Sequence, residues 1–165
     1  MKNILVPTDF TIQSLHLIVQ TAETMHDEEI NIVLFHVFNP PFDITELLFL
    51  KREPLYAELI TEGFRKECHK LKKRYSSVIG SINFKPLYGT TKSVFRNFAE
   101  ANNIDLIVWP AEYHLYTGHK YSYNPENLVK SSGVQILSEF SSQHEISTVE
   151  FSGYAKRRNT TEVPA

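Results

Sequence analysis

The sequence predicts an α/β fold, a parallel sheet with helices on both faces, and three observations carry that prediction. Ile4-Leu5-Val6 and the run "INIVLFHV" from Ile30 to Val37 are continuously apolar and rich in β-branched residues, the pattern of strands buried on both sides. Between such runs the apolar residues fall three and four apart, as they do on one face of a helix. The two patterns alternate along most of the 165 residues, which is how parallel strands joined by right-handed crossovers look in sequence.

Pro7 stops the first strand. From Thr11, a residue suited to capping, Ile12, Leu15, Ile18, Val19, Ala22 and Met25 form one face of a helix. After the second strand "NPPFD" breaks the chain, and residues 44–51 read as a short helical turn. A longer helix is expected from about Pro54 to Tyr75, with Leu55, Leu59, Phe64, Cys68, Leu71 and Tyr75 on one face. Pro54 would occupy its first turn, where a missing N–H costs nothing, and Glu62 precedes Lys66 by four in the favourable order. Residues 82–88 read as a strand, 92–102 as a helix and 106–109 as a fourth strand. A short helix over 125–131 leads to a fifth strand, Val134 to Leu137.

Residues 138–165 differ in character. They are polar and serine-rich, with a basic run Lys156-Arg157-Arg158, and Ile146 to Phe151 is patterned as a short edge strand. The expected organisation is one α/β domain over residues 1–137 and a polar extension over 138–165.

Bulk properties narrow the function classes. A chain of 165 residues folded as one domain buries roughly 70% of its extended surface, and 42% hydrophobic residues supply the core. No stretch approaches the roughly 20 apolar residues of a membrane span. A net charge of −2 gives no basis for general attraction to nucleic acid or to a membrane surface. The run from Lys70 to Arg74 falls near a helix C-terminus, where cations are favoured. "MKNILV" enters a strand directly, unlike a secretory leader, and the single Cys68 suits a reducing compartment, so a cytoplasmic location is expected.

Signatures of chemistry are missing. The chain has no G-x-S-x-G elbow, no GK[ST] phosphate loop, no H-E-x-x-H and no C-x-x-C, and no acidic pair is singled out by spacing. The expectation is a non-catalytic protein with no catalytic residue and no metal site. His114 and His119 stand five apart with no cysteine nearby, which is not metal-ligand spacing on a helix. His36, inside an apolar run, reads as a hydrogen-bonded core histidine.

Four stretches, "KNILVPTDFT", "INIVLFHV", "GTTKSVFRNFAEANNIDLIV" and "ENLVKSSGVQIL", resemble the universal stress protein (UspA-like) family, and together they span about residues 2–137. The resemblance implies a five-stranded parallel sheet of order 3-2-1-4-5, Rossmann-like and of the adenine nucleotide alpha hydrolase-like type. It also implies a homodimer and a role in stress response. In that order the chain reverses between strands 1 and 4, so a ligand crevice opens at their carboxyl ends. Pro7-Thr8-Asp9 and Pro110-Ala111-Glu112 would be its lips. In ATP-binding relatives an Asp ending strand 1 and the backbone after strand 2 hold the adenosine part, so Pro7, Thr8, Asp9 and Val37 are the candidate ligand-binding residues. Asp9 has a second reading, as a cap for the following helix.

The phosphate side departs from that family. ATP-binding members carry G-x2-G-x9-G-[S/T] after strand 4; here the first two glycine positions hold Pro110 and Tyr113. The final pair falls on Ser122-Tyr123, with the loop one residue short. Pro110 has no amide hydrogen for a phosphate, and Tyr113 is bulky where close backbone approach needs glycine. ATP is therefore not an expected cofactor. Tyr113 and Tyr116 are expected to fill the former phosphate space. Partners expected are a second copy and another protein, with no nucleic acid and no membrane; the alternative is a module that keeps adenosine or another small molecule between strands 1 and 4.

Overall fold

The computed structural model describes residues 1–40 and 56–140. The turn expected at 44–51, Pro54 and the edge strand expected at 146–151 lie outside the described residues. The strands are β1 (Lys2–Pro7), β2 (Ile30–Phe38), β3 (Ile79–Tyr88), β4 (Leu106–Val108), β5 (Ser122–Tyr123) and β6 (Gln135–Leu137). The helices are α1 (His16–Thr24), entered through a 3-10 turn at Ile12–Leu15, then α2 (Glu62–Arg74), α3 (Lys92–Ala101) and α4 (Glu126–Lys130).

Five strands form a parallel path in the order β3-β2-β1-β4-β6, and the sixth, β5, pairs with β2 off that path. This is the expected 3-2-1-4-5 order, with Gln135–Leu137 as its last strand. Register along the centre runs from Lys2 opposite Ile30 to Pro7 opposite Phe35, while β1 meets β4 only through Ile4 with Leu106 and Leu5 with Ile107.

Local chemistry sets the element starts. Thr11 caps the first helical turn, its hydroxyl accepting from the Ser14 amide at 3.2 Å, and Thr91 does the same for α3 through the Val94 amide at 3.3 Å. The long helix begins later than the sequence suggests. The amides of Leu59 and Ile60 both bond back to the Tyr56 carbonyl, Thr61 is extended, and its hydroxyl caps α2 at the Phe64 amide. A good cap at Thr61 therefore outcompetes continuation of the apolar spacing upstream. Glu62 in the first turn and Lys72, Lys73 and Arg74 in the last complement the helix dipole.

Successive strand residues point to opposite faces and build two cores. Ile4, Val6, Ile32 and Leu34 pack with α1 and with Phe64 and Leu71 of α2. Leu5, Val33, Phe35 and Ile107 pack with Phe95 of α3 and with Leu128 and Val129 of α4. The half-buried Cys68 belongs to the first core, and burial pushes its thiol up to about 11. The two sheet edges differ: β3 carries exposed Lys85 and then Pro86, whereas β6 has three uncharged residues. Among the described residues no helix is long and apolar enough to cross a membrane.

Candidate functional site

The sheet order reverses between β1 and β4, and a crevice is expected at the carboxyl ends of those strands. Its first lip is the turn after β1. Thr8, fully buried, donates its amide to Phe35 O at 3.0 Å, and its hydroxyl accepts from the Phe10 amide at 3.1 Å and lies 2.9 Å from Ser14 Oγ. Ser14 Oγ in turn donates to Thr11 O at 2.8 Å, so the Thr8 hydroxyl is the donor of that pair.

Asp9 is half-buried, and its Oδ1 accepts from the Thr11 amide at 3.0 Å and from the Thr11 hydroxyl at 2.5 Å. It shapes the turn, while Thr11 itself holds the cap. Phe10 sits at φ 64, an outlier for a bulky residue. That conformation turns its ring inward, 4.9 Å from His36 and 5.3 Å from Phe84 between ring centroids.

The second lip is the chain from Trp109 to Asn124. Trp109 is buried and held to β6 by its amide on Leu137 O. Pro110 accepts from the Tyr113 amide at 3.1 Å, closing a turn that drives the Tyr113 ring inward. That ring meets Trp109 edge-on at 5.1 Å and touches both cores, so it fills the seam where the two layers meet. Its hydroxyl is buried without a hydrogen-bond partner among the described residues. Burial, with the Asp9 carboxylate adding to it, holds that hydroxyl protonated well above the ordinary tyrosine range.

Tyr116 does not fill the crevice. It is 69% exposed, folded back over Gly118, where any Cβ would collide with its ring. Leu115 is the buried residue instead, so the apolar member next to it in sequence goes inside and the amphipathic ring stays in water.

The loop then does something the sequence reading missed. Ser122 and Tyr123 form β5 and pair antiparallel with Phe38 and Val37, and the Asn39 amide donates to Tyr121 O at 2.8 Å. β1 ends opposite Phe35, so the shoulder of β2 beyond it, Val37 and Phe38, is lined by this returning strand. The alternation Tyr121-Ser122-Tyr123, aromatic-polar-aromatic, was the available signal.

His36 clasps the two lips. Its Nδ1 lies 2.7 Å from Thr8 O, an acceptor only, so Nδ1 carries the proton; Nε2, 2.6 Å from Ser122 Oγ, then accepts from that hydroxyl. Burial lowers its pKa from 6.5, against raising contributions from the Thr8 carbonyl and from Asp9, and His119 lowers it further.

The structure thus brings Pro7, Thr8, Asp9, Val37, Tyr113, Ser122 and Tyr123 to one end of the sheet, with Pro110 opening the turn at the second lip. Val37 is fully buried, its backbone between Leu87 on one side and Tyr123 on the other. Among the described residues no group of three His, Cys, Asp or Glu side chains is arranged to hold a metal.

No protein-family model matches the chain, and no curated protein matches it. Solved structures do match. The hypothetical protein MJ0577 is 24% identical, with 83% of this chain and 94% of that one covered and a TM-score of 0.50. The universal stress protein UspA from Lactobacillus plantarum is 15% identical, with 83% and 96% covered and a TM-score of 0.51. The likeness is one of fold: this chain has the α/β fold of the universal stress proteins.

Proposed function

We propose that this chain, built on that fold, is a non-catalytic stress-response protein of the cytoplasm that acts through a homodimer and protein contacts and has lost triphosphate binding. One observation carries the reading: the β2 shoulder at Val37 and Phe38, the counterpart of the backbone that holds adenosine in ATP-binding relatives, is paired with the chain's own Ser122 and Tyr123. The phosphate side supports it, since Pro110 offers no amide and Tyr113 occupies the seam with its ring. Two missing hydrogen bonds to a charged group, at about 1.5–3 kcal/mol each, cost on the order of a hundredfold or more in affinity.

Dimerisation is supported by the contrast between the edges. β3 is blunted by Lys85 and Pro86, whereas β6 is short and uncharged and pairs on one side only among the described residues, which suits pairing with a two-fold mate or cover by the 138–165 extension. Light scattering on the full chain is expected to return twice the monomer mass; a monomer would remove this part of the proposal.

The second reading, a module that keeps adenosine or another small molecule, is favoured by Asp9, which stands at the lip with one carboxylate oxygen engaged by Thr11. Calorimetry with magnesium-ATP tests the leading reading, and calorimetry with adenosine tests the second. No heat of binding at micromolar ATP is expected, and a stoichiometric micromolar site would overturn the leading reading.

A further inference from the structure

Away from the crevice, at the amino end of β4, a cavity of about 460 Å³ opens between α3, the turn that follows it and the turn that leads into β6. That volume lies within the range of small-ligand sites, roughly 300–1,000 Å³. Its apolar lining comes from Ala99, which is buried, and from Ile104 and Val134, which are half-buried. Its charged lining comes from Arg96, Glu100 and Asp105. The strand β6 itself, Gln135–Leu137, contributes no residue to it.

Two of these charges stand apart although their spacing allows them to pair. Arg96 and Glu100 are four apart on α3, the spacing at which Lys66 meets Glu62 at 2.8 Å and Lys130 meets Glu126 at 2.6 Å. Yet Arg96 and Glu100 form no ion pair among the described residues. Their order explains it. In the two bonded pairs the acid precedes the base, whereas on α3 the base precedes the acid, the less favourable orientation. Asp105 is half engaged, one oxygen accepting from the Asn3 amide at 2.8 Å. The Ser132 hydroxyl serves its own turn, donating to Val129 O at 2.7 Å and accepting from the Val134 amide at 3.2 Å. Recognition therefore falls to one guanidinium and two carboxylates set beside apolar side chains.

We propose that this cavity binds a free α-amino acid with a branched aliphatic side chain. Arg96 takes its carboxylate, Glu100 and Asp105 take its ammonium group, and Ile104 and Val134 take the side chain. A guanidinium meets a carboxylate through two parallel N–H donors. Glu100 stands about 6 Å along the helix axis from Arg96, so one face of α3 meets both charges of a zwitterion. A purely anionic ligand would face two carboxylates against one guanidinium, and a purely cationic one would leave Arg96 without a counter-charge. The cavity shares no residue with the crevice lips, so the inference goes beyond the functional reading above and does not depend on it.

Calorimetry on the full-length chain tests the assignment with L-leucine, leucinamide, isocaproate and glycine. Leucinamide lacks the carboxylate, isocaproate lacks the amine and glycine lacks the side chain. Leucine is expected to bind with a Kd of about 0.1 mM, and each of the other three at least about tenfold more weakly. No heat with leucine at about 1 mM, or equal binding of all four, would overturn the proposal. Arg96→Gln and Glu100→Gln then assign the two ends; each replaces an exposed residue of α3 by another good helix former. Arg96→Gln is expected to weaken leucine about tenfold and to leave leucinamide unchanged, and Glu100→Gln to weaken leucine about tenfold and to leave isocaproate unchanged. Leucine affinity unchanged in both variants would overturn the proposal. So would a loss equally large for leucine and for the analogue that lacks the group in question, because the charge removed would then not be the one that meets that group.

Discussion

The two lips of the crevice solve the same burial problem in opposite ways. On the β1 side the polar groups are paired: the Thr8 hydroxyl serves Phe10 and Ser14, the Thr11 hydroxyl serves Asp9 and Ser14, and the cost is taken in the backbone, where Phe10 stands at φ 64. On the β4 side the turn is closed by an ordinary bond from Tyr113 N to Pro110 O, and the cost is a hydroxyl left unpaired among the described residues at the centre of the seam. A hydrogen-bonded lip is rigid but strained, and an aromatic-filled lip is well packed but frustrated. The difference teaches that the two lips carry their cost in different places, the first in the backbone at Phe10 and the second in the side chain of Tyr113.

The largest expected effect breaks the first lip. The Phe10 ring contacts His36, Phe38, Phe64 and Phe84, so Phe10→Ala should cost about 3–5 kcal/mol, read as a lower urea midpoint. Phe10→Gly loses the same ring but suits φ 64, and should be about 1 kcal/mol less destabilised than Phe10→Ala. A glycine variant weaker than the alanine variant would show that the strain assigned to Phe10 is not stored there.

A smaller pair of changes sharpens the comparison. Thr8→Val removes a hydroxyl on which the Phe10 amide and Ser14 depend, and should destabilise by about 1–3 kcal/mol. Tyr113→Phe removes a hydroxyl with no partner among the described residues, and should raise the urea midpoint by an amount equivalent to about 1–2 kcal/mol. Deleting one oxygen from each lip thus gives opposite signs. Equal signs in equilibrium urea unfolding would erase the distinction between the lips.

Much of this was legible in the sequence. The sheet order followed from the resemblance, and the strand positions from the apolar runs, because buried parallel strands leave a continuous mark that composition cannot hide. The start of α2 was placed too early, since apolar spacing runs on through Leu59 while the cap at Thr61 decides the boundary. Tyr113 and Tyr116 were expected to fill the former phosphate space; Tyr113 packs against both cores, whereas Tyr116 lies in solvent with Leu115 buried instead. Which residues between 113 and 116 turn inward depends on the turn closed at Pro110, a geometric fact with no periodic trace. The pairing of β5 was hidden for a related reason: two residues are too few to show a period, and their partners Phe38 and Val37 lie 84 and 86 positions away, a union that only the fold creates. His36 was read as a hydrogen-bonded core histidine, which it is, yet the identity of its second partner could not be read from the chain.

The smallest effect concerns the clasp between the lips, and it is a pH dependence. His36 is enclosed by Phe10 and Phe38, with the Thr8 carbonyl and Asp9 favouring its charged form and His119 opposing it; burial is the largest influence and lowers the pKa from 6.5. As pH falls through 6.5 the unfolded chain takes up a proton that the folded chain still refuses, so the contribution is fully present above 6.5 and is lost progressively below it. For one proton the slope cannot exceed about 1.4 kcal/mol per pH unit. Urea midpoints measured from pH 8 to 5.5 should therefore fall more steeply in the parent than in His36→Gln. The glutamine amide can still donate to Thr8 O and accept from Ser122 while carrying no titratable group. Superimposable profiles would mean that His36 is protonated in the folded chain as readily as in the unfolded one, and the neutral clasp drawn between Thr8 and Ser122 would have to be redrawn with both ring nitrogens donating.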